Sequence, residues 1–216
     1  MDFTGFRSDQ TSNPSAFFRR IFIASWNGLG ENQRVQSTRA TIIRMTRLTD
    51  TSLIVHWFTD DYGLIKTVAK GARRPSSAFA GRLDLFFTCE ISCQHARKGE
   101  LHSLREVSIQ KWREGLRKNY NATLLAAYCG QLLEAAVEPD YPDPALHDLL
   151  VRALDHIDSA GPSMRALQHF EHELATLLGI SHRQRQADVS LISALGALPT
   201  SRKELCERLS TNRDLR

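Results

Sequence analysis

Four cations fall within thirteen residues of the stretch VAKGARRPSSAFAGRLDLF, Val68 to Phe86: Lys70, Arg73, Arg74 and Arg82, with no acid before Asp84. Gly71 and Gly81 allow a close backbone approach, and Ser76 and Ser77 add hydroxyl donors. Phe79 suits either of two tasks, stacking on a base or filling the mouth of a barrel. Phosphate recognition needs mobile cations among small residues. These four side chains are therefore the candidate nucleic-acid-binding residues; a solvated basic loop is the plain reading of the same charges.

Other reactive residue types carry less. The cysteines are Cys89, Cys93, Cys129 and Cys206, and no two form a CxxC pair. The pattern around Cys89 and Cys93 has period two, which sets them about 13 Å apart along a strand, too far for a disulfide or a shared metal ion. They read as buried apolar cysteines, and the usage fits a reducing cytoplasm. His169 and His172 are three apart on a helical pattern beside Glu171 and Glu173. Without a third ligand motif they read as a solvated charged face. Asp60 and Asp61, in DDYG, read as turn formers. GxSxG, GxxxxGKS/T and HExxH are all missing, so neither a catalytic nor a metal site is expected.

These residues need elements to position them. Thr41–Leu48, Leu53–Thr59, Leu64–Ala69, Leu85–Gln94 and Leu101–Ile109 read as five short strands. Strand two is apolar enough for burial on both faces. Gly63 ends a hairpin turn that needs a positive φ. In strand four, Leu85, Phe87, Cys89, Ile91 and Cys93 point one way and Phe86, Thr88, Glu90, Ser92 and Gln94 the other. Five strands in about 70 residues, with a long Gly/Ser/Pro-rich excursion after the third, suggest a small closed barrel of the OB type.

After Gln110 the period becomes helical. Asn119 to Asn121 supplies caps ahead of Leu125, Tyr128, Leu132 and Ala136. Pro142-Asp143-Pro144 opens a helix carrying Leu146, Leu149, Leu150, Ala153, Leu154 and Ile157. Gly161-Pro162-Ser163 opens another, with Met164, Leu167, Phe170, Leu174, Leu177 and Leu178 inward and Gly179 as its stop. Shorter helices are expected near Val189–Leu195 and Arg202–Leu209, before a polar, fraying tail. The fold class is α+β: an N-terminal OB-fold barrel, residues 37–112, then an α-helical domain, residues 113–216, with residues 1–36 as a disordered leader.

Composition agrees. The chain has 216 residues, 42% hydrophobic and 24% charged, with a net charge of +4. Residues 38–112 are net +5 and residues 113–216 net −2. One basic module beside one acidic module implies different partners. Phe17–Trp26, FFRRIFIASW, has the paired arginines of an export signal, but its apolar run is too short for one.

The segment TRLTDTSLIVHWFTDDYGLIKTVAKGARRPSSAFAGRLDLF closely resembles the N-terminal OB domain of the RecO family of bacterial recombination mediators. Three linked pieces carry the resemblance: Asp50-Thr51-Ser52-Leu53, then Phe58-Thr59 to Gly63, then Ala69-Lys70-Gly71-Ala72-Arg73. Ala126 to Leu132 is similar to the family's Y-x-x-E-L helix, with Gln131 where Glu is usual. Arg165 to Gly179 is similar to its R-x-F-E…LL-x-x-LG helix. Coverage is roughly residues 38–180.

The resemblance implies a non-enzymatic protein. It would bind single- and double-stranded DNA, anneal complementary strands and help load recombinase onto strands coated with single-strand-binding protein. The implied partners are RecR and the acidic C-terminal tail of single-strand-binding protein, with Arg165 as the candidate contact for that tail. Many members carry a zinc-binding cysteine quartet after the LLxxLG helix. Here Ile180-Ser181-His182-Arg183-Gln184 follows, so no zinc module is expected. Residues 1–34 are expected to be dispensable, as a mobile tail or an over-extended gene start. The rival readings are an OB-fold RNA-binding or translation-associated protein, and an enzyme with its site among the helices.

Overall fold

The computed structural model describes residues 35–96 and 98–211. Residues 1–34, with the paired arginines and Phe17–Trp26, lie outside them; Val35 and Gln36, expected in the leader, are the first residues of a strand. Five strands form the first part: β1 (Val35–Arg47), β2 (Leu53–Thr59), β3 (Gly63–Ala69), β4 (Thr88–Gln94) and β5 (Leu101–Lys111). They close in the order β1-β2-β3-β5-β4, with β3 and β5 parallel and the other pairs antiparallel. This is an OB-like barrel. Gly63 turns at φ +64, and a side chain there would run into the carbonyl oxygen of Tyr141. Glycine is thus required twice over, by the turn and by the close approach.

Two expected strands differ in extent. β1 starts six residues before Thr41, because Val35–Thr41 pairs with Gln94–Thr88. β4 starts at Thr88, three residues after Leu85. Leu85 is exposed, and Phe86 adopts φ +66, unusual for a bulky side chain. The positive φ interrupts the strand ahead of Thr88, with Phe86 in the helical core and Phe87 in the barrel. From Phe87 onward the alternation is as expected, with Phe87, Cys89, Ile91 and Cys93 in the barrel core.

The helices are α1 (Gly115–Lys118), α2 (Tyr120–Ala136), α3 (Pro144–Ala160), α4 (Met164–Leu177), α5 (Ala187–Leu195) and α6 (Ser201–Thr211). Asn119, Asp143 and Ser163 cap α2, α3 and α4 with side-chain oxygens, and Gly179 ends the α4 turn at φ +70. Leu177, expected inward, is exposed at the last turn of α4. α6 packs through Leu205 and Leu209 into the helical core.

Two apolar cores result. One fills the barrel around Ile42, Val55, Trp57, Ile65 and Ile91. The other fills the helical bundle and receives Ile43, Phe58, Leu64 and Phe86 from the barrel's outer face. This is why β2 is buried on both faces: Trp57 points in and Phe58 points into the helices.

Candidate nucleic-acid interface

The segment between β3 and β4 covers one end of the barrel. It runs as successive turns, with Arg74, Ser77, Ala80 and Arg82 donating backbone N–H groups to Gly71, Arg74, Ser77 and Phe79. Its apolar side chains face the barrel. Ala72, Phe79 and Leu83 pack against the barrel core, so Phe79 fills the mouth. The β1–β2 turn holds its near end: Gly71 N donates to Ser52 Oγ at 3.2 Å and Arg73 N to the Thr51 carbonyl at 3.0 Å.

With the apolar residues turned inward, the cations turn outward. Lys70, Arg73, Arg74 and Arg82 are all exposed. None forms an ion pair among the described residues, whereas nearby cations do: Arg47 with Asp50, Lys66 with Glu100 at 2.8 Å, and Arg117 with Asp84 at 2.6 Å. Two have backbone contacts that steer them. Arg73 Nη1 donates to the Asp50 carbonyl at 3.1 Å and Arg82 Nη1 to that of Val107 at 3.4 Å. Exposed guanidinium and ammonium groups without carboxylates retain their charge for a phosphate backbone. Arg165 is exposed at the first turn of α4, about 18 Å of helix from Leu177 at the other end.

The remaining candidates take structural places. Cys89 and Cys93 are wholly buried, and burial pushes their thiols up to about 12 and about 11, which keeps them protonated. His169 and His172 are exposed, but Glu171 is not on a solvated face: it is 2% exposed within the helical core. There it accepts from Arg202 at 2.7 and 3.0 Å and from the Tyr128 hydroxyl. Asp60 and Asp61 do more than form a turn. Asp61 accepts from Thr38 at 2.8 Å, and Asp60 pairs with Arg39 and with His147 of α3. Sequence reasoning missed these pairings because the partners are distant in the chain. Among the described residues no three His, Cys, Asp or Glu side chains are placed to hold a metal ion. The turns after α4 offer only His182, and Cys206 stands alone on α6, so these residues do not fit a zinc quartet.

Comparison with known proteins adds the family. The model described as Recombination protein O N terminal matches residues 34–112, and Recombination protein O C terminal matches residues 117–186. Similar relatives include the DNA repair protein RecO of Rhodopirellula baltica, 31% identical over 150 residues, covering 69% of this chain and 56% of that protein. That of Salinibacter ruber is 30% identical over 145 residues, covering 67% and 56%. That of Syntrophotalea carbinolica is 32% identical over 143 residues, covering 66% and 55%. The chain spans little more than half the length of these relatives. The barrel match ends one residue after β5, the second match runs from the last two residues of α1 through α4, and together they place this chain in the RecO family.

Proposed function

We propose that this chain acts in recombinational DNA repair by binding DNA at the basic end of its barrel. The observation that carries this is the set of four exposed cations without carboxylate partners on the segment that plugs an OB-like barrel. The DNA repair proteins that it resembles supply the biological setting. Single strands and duplexes both present phosphates to such a surface. Holding two strands with neutralised charge is what annealing requires, so the reading extends to annealing complementary strands and to helping recombinase load onto coated single strands. No catalytic step is assigned. Replacing Lys70, Arg73, Arg74 and Arg82 together by alanine tests it. Each lost phosphate contact removes about 0.7 from the slope of log K against log salt on single strands, so the slope falls by up to about 3. A folded quadruple variant that binds DNA with the parent's affinity and slope overturns the assignment. Matched RNA oligonucleotides in competition decide between this reading and the RNA-binding alternative.

The partners proposed are RecR and the acidic C-terminal tail of single-strand-binding protein, with Arg165 on the helical lobe as a contact for the latter. A carboxylate-rich peptide suits an exposed arginine at 1:1. Arg165→Ala should weaken binding of a tail peptide severalfold in calorimetry; a peptide that the parent does not bind counts against the proposal.

A further inference from the structure

Trp112 follows β5 directly and is 59% exposed, an unusual position for the largest apolar side chain. Strand register fixes where it lies. Lys111 pairs with Thr88, the first residue of β4, whereas Val68, next to the last residue of β3, pairs with Ser103 near the start of β5. In the barrel order β5 stands between β3 and β4. The basic segment joining β3 to β4 therefore runs the length of β5 toward its end, and Arg82 reaches the Val107 carbonyl on the way. Its last residues then run beside the chain that carries Trp112. Arg113 Nη1 donates to the Phe86 carbonyl at 2.7 Å, while Arg117 pairs with Asp84 and lies 4.9 Å from the centre of the Phe87 ring.

Two acids along this path are neutralised. Asp84 is paired with Arg117, and Asp155 with Lys111 and Arg113 at 2.7 Å each. Glu106, beside Val107, and Glu114 are exposed and form no ion pair among the described residues, and the four cations Lys70, Arg73, Arg74 and Arg82 outnumber them. The aromatic inside the basic segment, Phe79, is spent on plugging the barrel. Proteins that bind single strands without sequence preference join a basic track to aromatic faces on which bases stack.

We propose that Trp112 is a base-stacking platform for single-stranded DNA, set where a strand held by the cations of the β3–β4 segment passes the end of β5. This rests on the DNA-binding reading and adds to it a contact with bases rather than phosphates. It separates from that reading experimentally, because stacking needs a base and phosphate contact does not. The full chain and its Trp112→Ala and Trp112→Phe variants are titrated with a thymine oligonucleotide and with an abasic oligonucleotide of the same length, over a range of salt. Trp112→Ala weakens thymine-oligonucleotide binding about tenfold, within the range for loss of one stacked base. It leaves abasic binding and the salt slope as in the parent, and Trp112→Phe recovers most of the loss. Thymine oligonucleotide also quenches tryptophan emission in the parent more than in Trp112→Phe, since the two chains share Trp26 and Trp57 and differ only at Trp112. Unchanged thymine binding in Trp112→Ala, or equal loss on both oligonucleotides, overturns the platform while leaving phosphate binding in place. A parent chain that binds neither oligonucleotide overturns the DNA reading and the platform with it.

Discussion

Glu171 lies on α4 with its carboxylate sealed in the helical core, held by the fork of Arg202 from α6 and by Tyr128 from α2. A buried charge persists only where its partners compensate for lost hydration. Burial, and then the same carboxylate, drive the Tyr128 hydroxyl far above its usual range, and the ion pair raises Arg202. Arg202→Ala should therefore cost about 3 kcal/mol, because it strands a buried carboxylate beside one hydroxyl. Adding Glu171→Gln should recover part of that loss, which urea unfolding of the single and double variants measures. An Arg202→Ala chain as stable as the parent would show that the carboxylate is not held as described. None of this was legible in the sequence. HFEHE looks like a charged face, and nothing in it says that an arginine 31 residues later folds back onto its middle carboxylate.

Elements were far more legible than pairings. The helical spacing of Leu146, Leu149, Leu150, Leu154 and Ile157 and the caps Asn119, Asp143 and Ser163 are local signals, and the helices sit where these put them. Strands were harder at their ends. β1 is long because β4 supplies hydrogen-bond partners back to Val35, a tertiary fact that no propensity carries. The start of β4 was misplaced for a subtler reason. Leu85 to Gln94 alternates well enough to pass as one strand, yet the backbone takes a positive φ at Phe86, which packs in the helical core, and leaves Leu85 exposed. The Phe86 N–H donates to the Ile42 carbonyl at 2.8 Å, so the twist is itself tied into the sheet. The basic segment shows the opposite case. Its charges were visible at once, while the division of labour within it, cations outward and Phe79 into the barrel mouth, required the barrel to exist first.

At the scale of the molecule, barrel and helices are joined by a buried run of polar groups in which each hydroxyl accepts once and donates once. Arg113 Nη1 donates to Thr88 Oγ1 at 3.0 Å. Thr88 and Thr41 share a hydrogen bond at 3.0 Å, and Thr41 meets His147 Nε2 at 3.1 Å. His147 Nδ1 reaches Asp60, whose other oxygen accepts from Arg39 at 3.0 Å. The run is complete when His147 is neutral with its proton on Nδ1: Arg113 donates to Thr88, Thr88 to Thr41, Thr41 to Nε2, and Nδ1 to Asp60. A second ring proton turns Nε2 into a donor and sets it against the Thr41 hydroxyl. Burial lowers the affinity of His147 for that proton, and the charges of Arg39 and Arg113 lower it further, against the opposing pull of Asp60. The unfolded chain, with histidine near its ordinary value of about 6.5, then binds more protons than the folded one below that pH. The stability contributed by neutral His147 is thus fully present above about pH 6.5 and is lost as the pH falls toward its depressed folded value. His95 is also depressed by burial and adds to the same trend. His147→Gln should be less stable than the parent at pH 7, because the run is cut. Between pH 7 and 5 it should lose less further stability, by up to about 1.4 kcal/mol per pH unit, since the group that titrates is gone. Calorimetric unfolding of both chains across that range measures the difference. Parallel pH profiles would mean that His147 does not govern how the two lobes respond to acid.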